Sequence, residues 1–109
     1  MYVSYYNQFM TAKAKVVRTL QKEMPYLRDH FGVKKLALFG SLSKKSHVPP
    51  HDVDILIEFI APIGFRFIDL ANYLEKKLGK KTDILTTEGL SSIRVDKVAR
   101  SIKDNLYYV

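Results

Sequence analysis

Two aspartates interrupt an apolar strand pattern in "DVDILIEF", residues 52–59, and that interruption constrains this chain more than any other feature. Side chains alternate across a strand, so Val53, Ile55, Ile57 and Phe59 point one way while Asp52, Asp54, Leu56 and Glu58 point the other. One sheet face thus packs on an apolar layer, and the other, carrying carboxylates, stays wet. Asp52 and Asp54 stand about 7 Å apart on that wet face. Like charges so placed repel, and a bound cation removes the cost. Carboxylate donors without thiolates or paired histidines suit Mg²⁺ or Mn²⁺. An exposed face also tolerates acids with no ligand at all, so the pair alone decides nothing.

The apolar layer is legible on either side of the strand. From about Thr11 to Phe31, apolar residues recur at Ala12, Val16, Leu20, Met24, Leu27 and Phe31, the spacing of one helical stripe. Pro25 is expected to kink that helix or open a second one, and Gly32 to stop it. "KKLALFG", residues 34–40, reads as a strand. Phe67, Ala71, Leu74 and Leu78 make a second stripe closed by Gly79, and "KTDILTT", residues 81–87, is a third strand. A last helix from about Ser91 to Asn105 is expected to bury Ile93, Val98 and Ile102. The order helix, strand, strand, helix, strand, helix predicts an α/β (α+β) fold: a small mixed β-sheet with helices packed on one face. A chain of 109 residues makes one domain, residues 1–109, with its core from about 11 to 105.

Composition narrows the function classes. There is no cysteine, which excludes disulfide frames and thiolate metal sites. No stretch has the length and apolarity of a membrane span, and "MYVSYYNQFMTAKAK" lacks the order of a signal peptide, so the expected place is the cytoplasm with no membrane partner. The net charge of +7 favours polyanions, but the cations are scattered and no reading helix or aromatic sheet motif is present. Direct nucleic-acid binding is therefore not expected. His30, His47 and His51 have no ligand spacing and read as surface histidines. Tyr2, Tyr5, Tyr6, Tyr107 and Tyr108 gather at the ends, where they suit terminal packing or a protein interface.

Two further features change the weight of the aspartate pair. Asp83 opens the third strand, and a neighbouring strand lies only about 4.8 Å away, so it can complete a cluster of three carboxylates. Such a cluster can hold two metals about 3.5–4 Å apart, the clamp used in phosphoryl and nucleotidyl transfer. Gly40 ends the first strand where backbone must approach something closely or take a positive φ. The following "SLSKK" can begin a helix whose free N–H groups face a phosphate, with the Ser41 hydroxyl and Lys44 nearby. A Gly-Ser pair is also an ordinary strand-ending turn with serine as a helix cap.

Together these pieces resemble the nucleotidyltransferase superfamily that includes DNA polymerase β, and most closely its minimal nucleotidyltransferases. The signature, Gly-Ser, ten residues, Asp-x-Asp, falls on Gly40, Ser41, Asp52 and Asp54, with "LSKKSHVPPH" as the ten. The flanking "LALFGS", "LEKKLGKKTDILT" and "RSIKDNLYYV" also look like the family, so the likeness runs from about Thr11 to the last residue. It departs after the turn, where the family's Arg-Ala-Arg-Gly is Leu42, Ser43, Lys44 and Lys45, and His51 replaces a serine.

The resemblance implies a polymerase β-like nucleotidyltransferase fold and a definite chemistry. Asp52, Asp54 and Asp83 would bind two Mg²⁺, with Asp83 also a candidate base. Gly40, Ser41 and Lys44 would hold the phosphates of ATP. A hydroxyl would attack the α-phosphorus and release pyrophosphate. Minimal nucleotidyltransferases typically pair with a HEPN-family toxin encoded nearby and act as antitoxins, some by transferring AMP to a toxin tyrosine (AMPylation). The chain has no room for an acceptor domain of its own, and its open face suits homo- or hetero-oligomers. The alternative is a catalytically weak module that neutralises its partner by contact.

Overall fold

A computed structural model describes residues 12–40, 52–94 and 96–109. Helix α1 (Ala12–Phe31) is followed by strands β1 (Val33–Phe39) and β2 (Asp52–Phe59), helix α2 (Arg66–Leu78), strand β3 (Lys81–Thr86), helices α3 (Thr87–Ser91) and α4 (Asp96–Asp104), and strand β4 (Tyr107–Tyr108). The sheet order is β3-β2-β1-β4. β1 runs antiparallel to β2 and β4, and β2 runs parallel to β3, with α2 as the crossover. The mixed sheet with helices is the expected fold class. No helix among the described residues is long and apolar enough to cross a membrane.

The main core lies where the alternation of β2 predicts it. Val53, Ile55 and Ile57 are fully buried with Leu36 and Leu38 of β1, beneath Val16, Leu20, Met24, Leu27 and Phe31 of α1 and Leu70 and Leu74 of α2. α1 runs through Pro25 without opening a second helix. Pro25 is exposed while Met24 and Leu27 on either side are buried, and that packing offsets a loss of about 3 kcal/mol for an interior proline. Gly32 ends α1 with φ at +68°, and Gly79 ends α2 with φ at +67°.

The opposite face is less wet than expected. Leu56 and Ala37 are buried there with Leu90 and Ala99, and Leu85, Ile93, Ile102 and Leu106 pack around them. Helices α3 and α4 thus add a second, smaller layer, which among the described residues does not extend to the Asp52–Asp54 end of this face. The helix expected from Ser91 begins only at Asp96, as α4, so Ile93 lies outside it and does not set its phase. Ala99 turns inward and Val98 is 48% exposed, against the expectation that Val98 would be buried. The methyl of Ala99 lets α4 approach the sheet at Ala37, where a valine needs more room.

β4 is two residues long, too short to announce itself by periodicity. It places Tyr107 across from Leu38 and Tyr108 across from Ala37, and the Lys13 ammonium sits 4.0 Å from the Tyr107 ring centre. Tyr2, Tyr5 and Tyr6 lie outside the described residues. On the other side of the molecule, Tyr73 stacks on Tyr26 at 4.9 Å and donates its hydroxyl to Glu23 Oε2 at 2.8 Å. Burial, and then that hydrogen bond and the Glu23 charge, push the Tyr73 phenol up to about 12. A raised phenol contributes stability that is present below pH 10 and lost as pH climbs to about 12. Absorbance at 295 nm, wild type minus Y73F, should therefore show one late-ionising tyrosine, and E23Q should bring its midpoint down. A Tyr73 midpoint near 10, the ordinary value, would contradict this reading.

Candidate active site

The parallel pairing of β2 with β3 builds the site. Their register sets Asp54 directly across from Asp83 and Asp52 across from Lys81. Paired residues on neighbouring strands share a face, and Asp52 shares it with Asp54 by alternation, so all three carboxylates stand on one side at one end of the sheet. Asp52 and Asp54 are half-buried and Asp83 is exposed. The Asp54 carboxyl is held above its ordinary value, first by burial and then by the charges of Asp83 and Asp52. The ion pairs Lys34–Glu58 and Lys77–Glu23 lie elsewhere and do not involve these carboxylates.

β1 delivers Gly40 to the same place. Phe39 is in register with Asp54, and the chain then turns at Gly40 with φ at +70°. A Cβ on Gly40 would land on the Asp54 Oδ2 atom and lie 3.1 Å from its Cγ. Both reasons for a glycine are met here, a left-handed backbone and a close approach, and the thing approached is the central carboxylate of the cluster.

This donor set fits hard divalent cations. Among the described residues no three His, Asp or Glu side chains close a metal cage by themselves. Mg²⁺ seldom uses an all-protein cage: it takes one or two carboxylates and completes its shell with waters and substrate phosphates. Three carboxylates on one sheet face meet that requirement.

Of the residues marked in the sequence, Asp52, Asp54, Asp83 and Gly40 are brought together. Ser41, Lys44 and the departures at Leu42, Ser43, Lys45 and His51 lie outside the described residues, as does His47. His30 is far from the cluster, stacked at 4.9 Å on Tyr26 at the end of α1. Glu58 pairs with Lys34 at 3.2 Å. Lys81 is a neighbour of the site that sequence reasoning did not single out, and only the parallel register of β3 with β2 reveals it. A cleft of about 340 Å³ sits at the other end of the sheet, lined by Phe59, Ile63, Phe67, Thr86 and Glu88 among others. Phe59 is five residues along β2 from Asp54, about 16 Å away, and among the described residues no pair of carboxylates lines this cleft.

The Nucleotidyltransferase domain family model matches residues 18–109. The chain belongs to the nucleotidyltransferase domain family. MJ1217 of Methanocaldococcus jannaschii, provisionally named a protein adenylyltransferase, is 34% identical over 101 residues, which span 92% of this chain and 100% of that protein. A structure provisionally described as a minimal nucleotidyltransferase superposes with a TM-score of 0.65 at 18% identity, covering 91% of this chain and 96% of the other. A structure of a tri-AMPylated Shewanella oneidensis HEPN toxin in complex with MNT antitoxin matches with a TM-score of 0.52 at 17% identity, covering 89% of this chain and 67% of that one. At these identities the two structures show that this nucleotidyltransferase shares their fold.

Proposed function

We propose that this nucleotidyltransferase moves AMP from ATP to a hydroxyl of a partner protein, a tyrosine of a HEPN-type toxin, and so acts as its antitoxin. The observation that carries this reading is the register of Asp54 with Asp83, with Gly40 against Asp54, in a chain of this family. The name of MJ1217 and the AMPylated toxin in the Shewanella oneidensis complex support the choice of a protein acceptor.

Asp52, Asp54 and Asp83 would hold two Mg²⁺, which when bound supply positive charge to the triphosphate and to the transferring phosphoryl group. Gly40, Ser41 and Lys44 would grip the β- and γ-phosphates, a role that rests on the family resemblance. Asp83, the exposed member of the three, would meet an acceptor arriving from solvent and accept the hydroxyl proton. The bond from the hydroxyl oxygen to the α-phosphorus forms as the bond to pyrophosphate breaks. The acceptor hydroxyl would be brought to the acid-bearing end of the sheet by the partner protein.

Transfer from α-labelled ATP with Mg²⁺ to a HEPN toxin tests the reading, with Asp52→Asn/Asp54→Asn as the control. Label on the toxin that vanishes with the control, and with removal of the acceptor tyrosine, is the expected result. An unlabelled toxin that wild type and control inhibit equally would make this chain a contact-only neutraliser.

A further inference from the structure

The sheet has an edge that its own strands do not finish. β1 pairs with β2 with a register shift between Val33 and Lys35, and on its other side β4 meets it only at Ala37 and Leu38, with the Val109 N–H reaching Leu36 O at 3.0 Å. Among the described residues no strand lies beside Val33, Lys34 and Lys35 on that side. A cleft of about 320 Å³ opens there, lined by Arg28, Lys34 and Lys35 together with Met24, Leu36 and Tyr108. Arg28 and Lys35 are exposed, as is Tyr108 at 59%, and Lys34 meets Glu58 of β2 at 3.2 Å. No acidic residue lines the cleft among the described residues.

We propose that the Val33–Lys35 edge is a docking strand for an acidic, extended segment of a partner protein. Unpaired backbone groups on a sheet edge accept an added strand whatever its sequence, and neighbouring side chains then choose which strand. Arg28 and Lys35, with Lys34 beside them, choose acidic residues, and the exposed Tyr108 ring offers the apolar contact between them. The same cations act against self-association, since a second copy of this chain brings a net charge of +7 to a basic edge. The Tyr108 ring extends the apolar side of the groove at the point where β4 stops. The surface is separate from the carboxylates: Lys35 is four residues along β1 from Phe39, the residue opposite Asp54, or about 13 Å. Docking there would hold a partner while leaving the acid-bearing end of the sheet free.

Fluorescence anisotropy with a labelled peptide of alternating glutamate and valine tests the proposal. The peptide is expected to bind wild type and to lose about tenfold or more in affinity toward Arg28→Ala/Lys35→Ala, the loss of two charge-assisted contacts. Methylating alternate peptide nitrogens should cost about as much against wild type, because it removes the ladder hydrogen bonds. This second arm needs no altered protein, so it stands even if the double variant folds poorly. Equal binding of the methylated peptide would overturn the proposal, and so would equal binding by a double variant with native circular dichroism. Tighter binding of an oligouridylate of equal charge, displacing the peptide, would assign the surface to nucleic acid and overturn it as well.

Discussion

Asp54→Asn is expected to cut nucleotidyl transfer by about three orders of magnitude and, in the same protein, to raise the melting temperature measured in EDTA. The activity loss rests on the metal role proposed for Asp54, since a correctly held metal contributes several kcal/mol to phosphoryl chemistry, at 1.36 kcal/mol per tenfold in rate. The stability gain follows from the geometry of β2 and β3. Asp54 is half-buried, in register with Asp83 and on one face with Asp52, and burial and both neighbours disfavour its charged form. At neutral pH the metal-free fold therefore carries a carboxylate that the unfolded chain holds at less cost. Asparagine keeps the shape and removes the charge. Adding Mg²⁺ should reverse the ranking, raising the melting temperature of wild type and moving that of D54N little. A D54N protein that melts lower than wild type in EDTA would show that the Asp54 charge is no net cost to the metal-free fold, and one that still transfers AMP at the wild-type rate would show that the cluster is not the site of the chemistry.

The readable and unreadable parts of this fold divide along a physical line. Asp52, Asp54 and the buried Val53, Ile55 and Ile57 were legible because a strand repeats every two residues and its polar exceptions stand out. The α1 stripe was legible for the corresponding helical reason, and Pro25 misled only about continuity, since tertiary packing on both sides of a proline outweighs its local cost. The second layer was not legible. Leu56 sits on the acid-bearing face, and whether that face is covered depends on where α3 and α4 return, which no local pattern encodes. Val98 was expected to be buried and Ala99 was not, because α4 begins only at Asp96, so its phase is not set by Ile93, and a small residue faces Ala37. The pairing of Asp54 with Asp83 lay between these cases. Sequence could place both acids near strand starts, but the parallel register that sets them side by side comes from the α2 crossover.

Gly40→Ala and Gly32→Ala should lose similar stability and very different amounts of activity. Both glycines have left-handed backbone, φ at +70° and +68°, so alanine at either costs about 1–2 kcal/mol in strain. The space around them differs. Nothing lies within 4 Å of a Cβ built on Gly32, whereas a Cβ on Gly40 falls on the Asp54 carboxylate. Asp54 cannot retreat through the sheet, since its strand is pinned between β1 and β3 and its neighbours Val53 and Ile55 are fully buried. The methyl must therefore rotate or push the carboxylate away from Asp83. Displacing a reacting constellation by about 1 Å commonly costs about a hundredfold in rate. Folded G40A is thus expected to show kcat lower by about that factor, with a melting temperature close to that of G32A, while G32A keeps wild-type kcat. Equal activity in the two variants would mean that Gly40 serves only the turn, and that the alignment of the Asp54 carboxylate is set elsewhere.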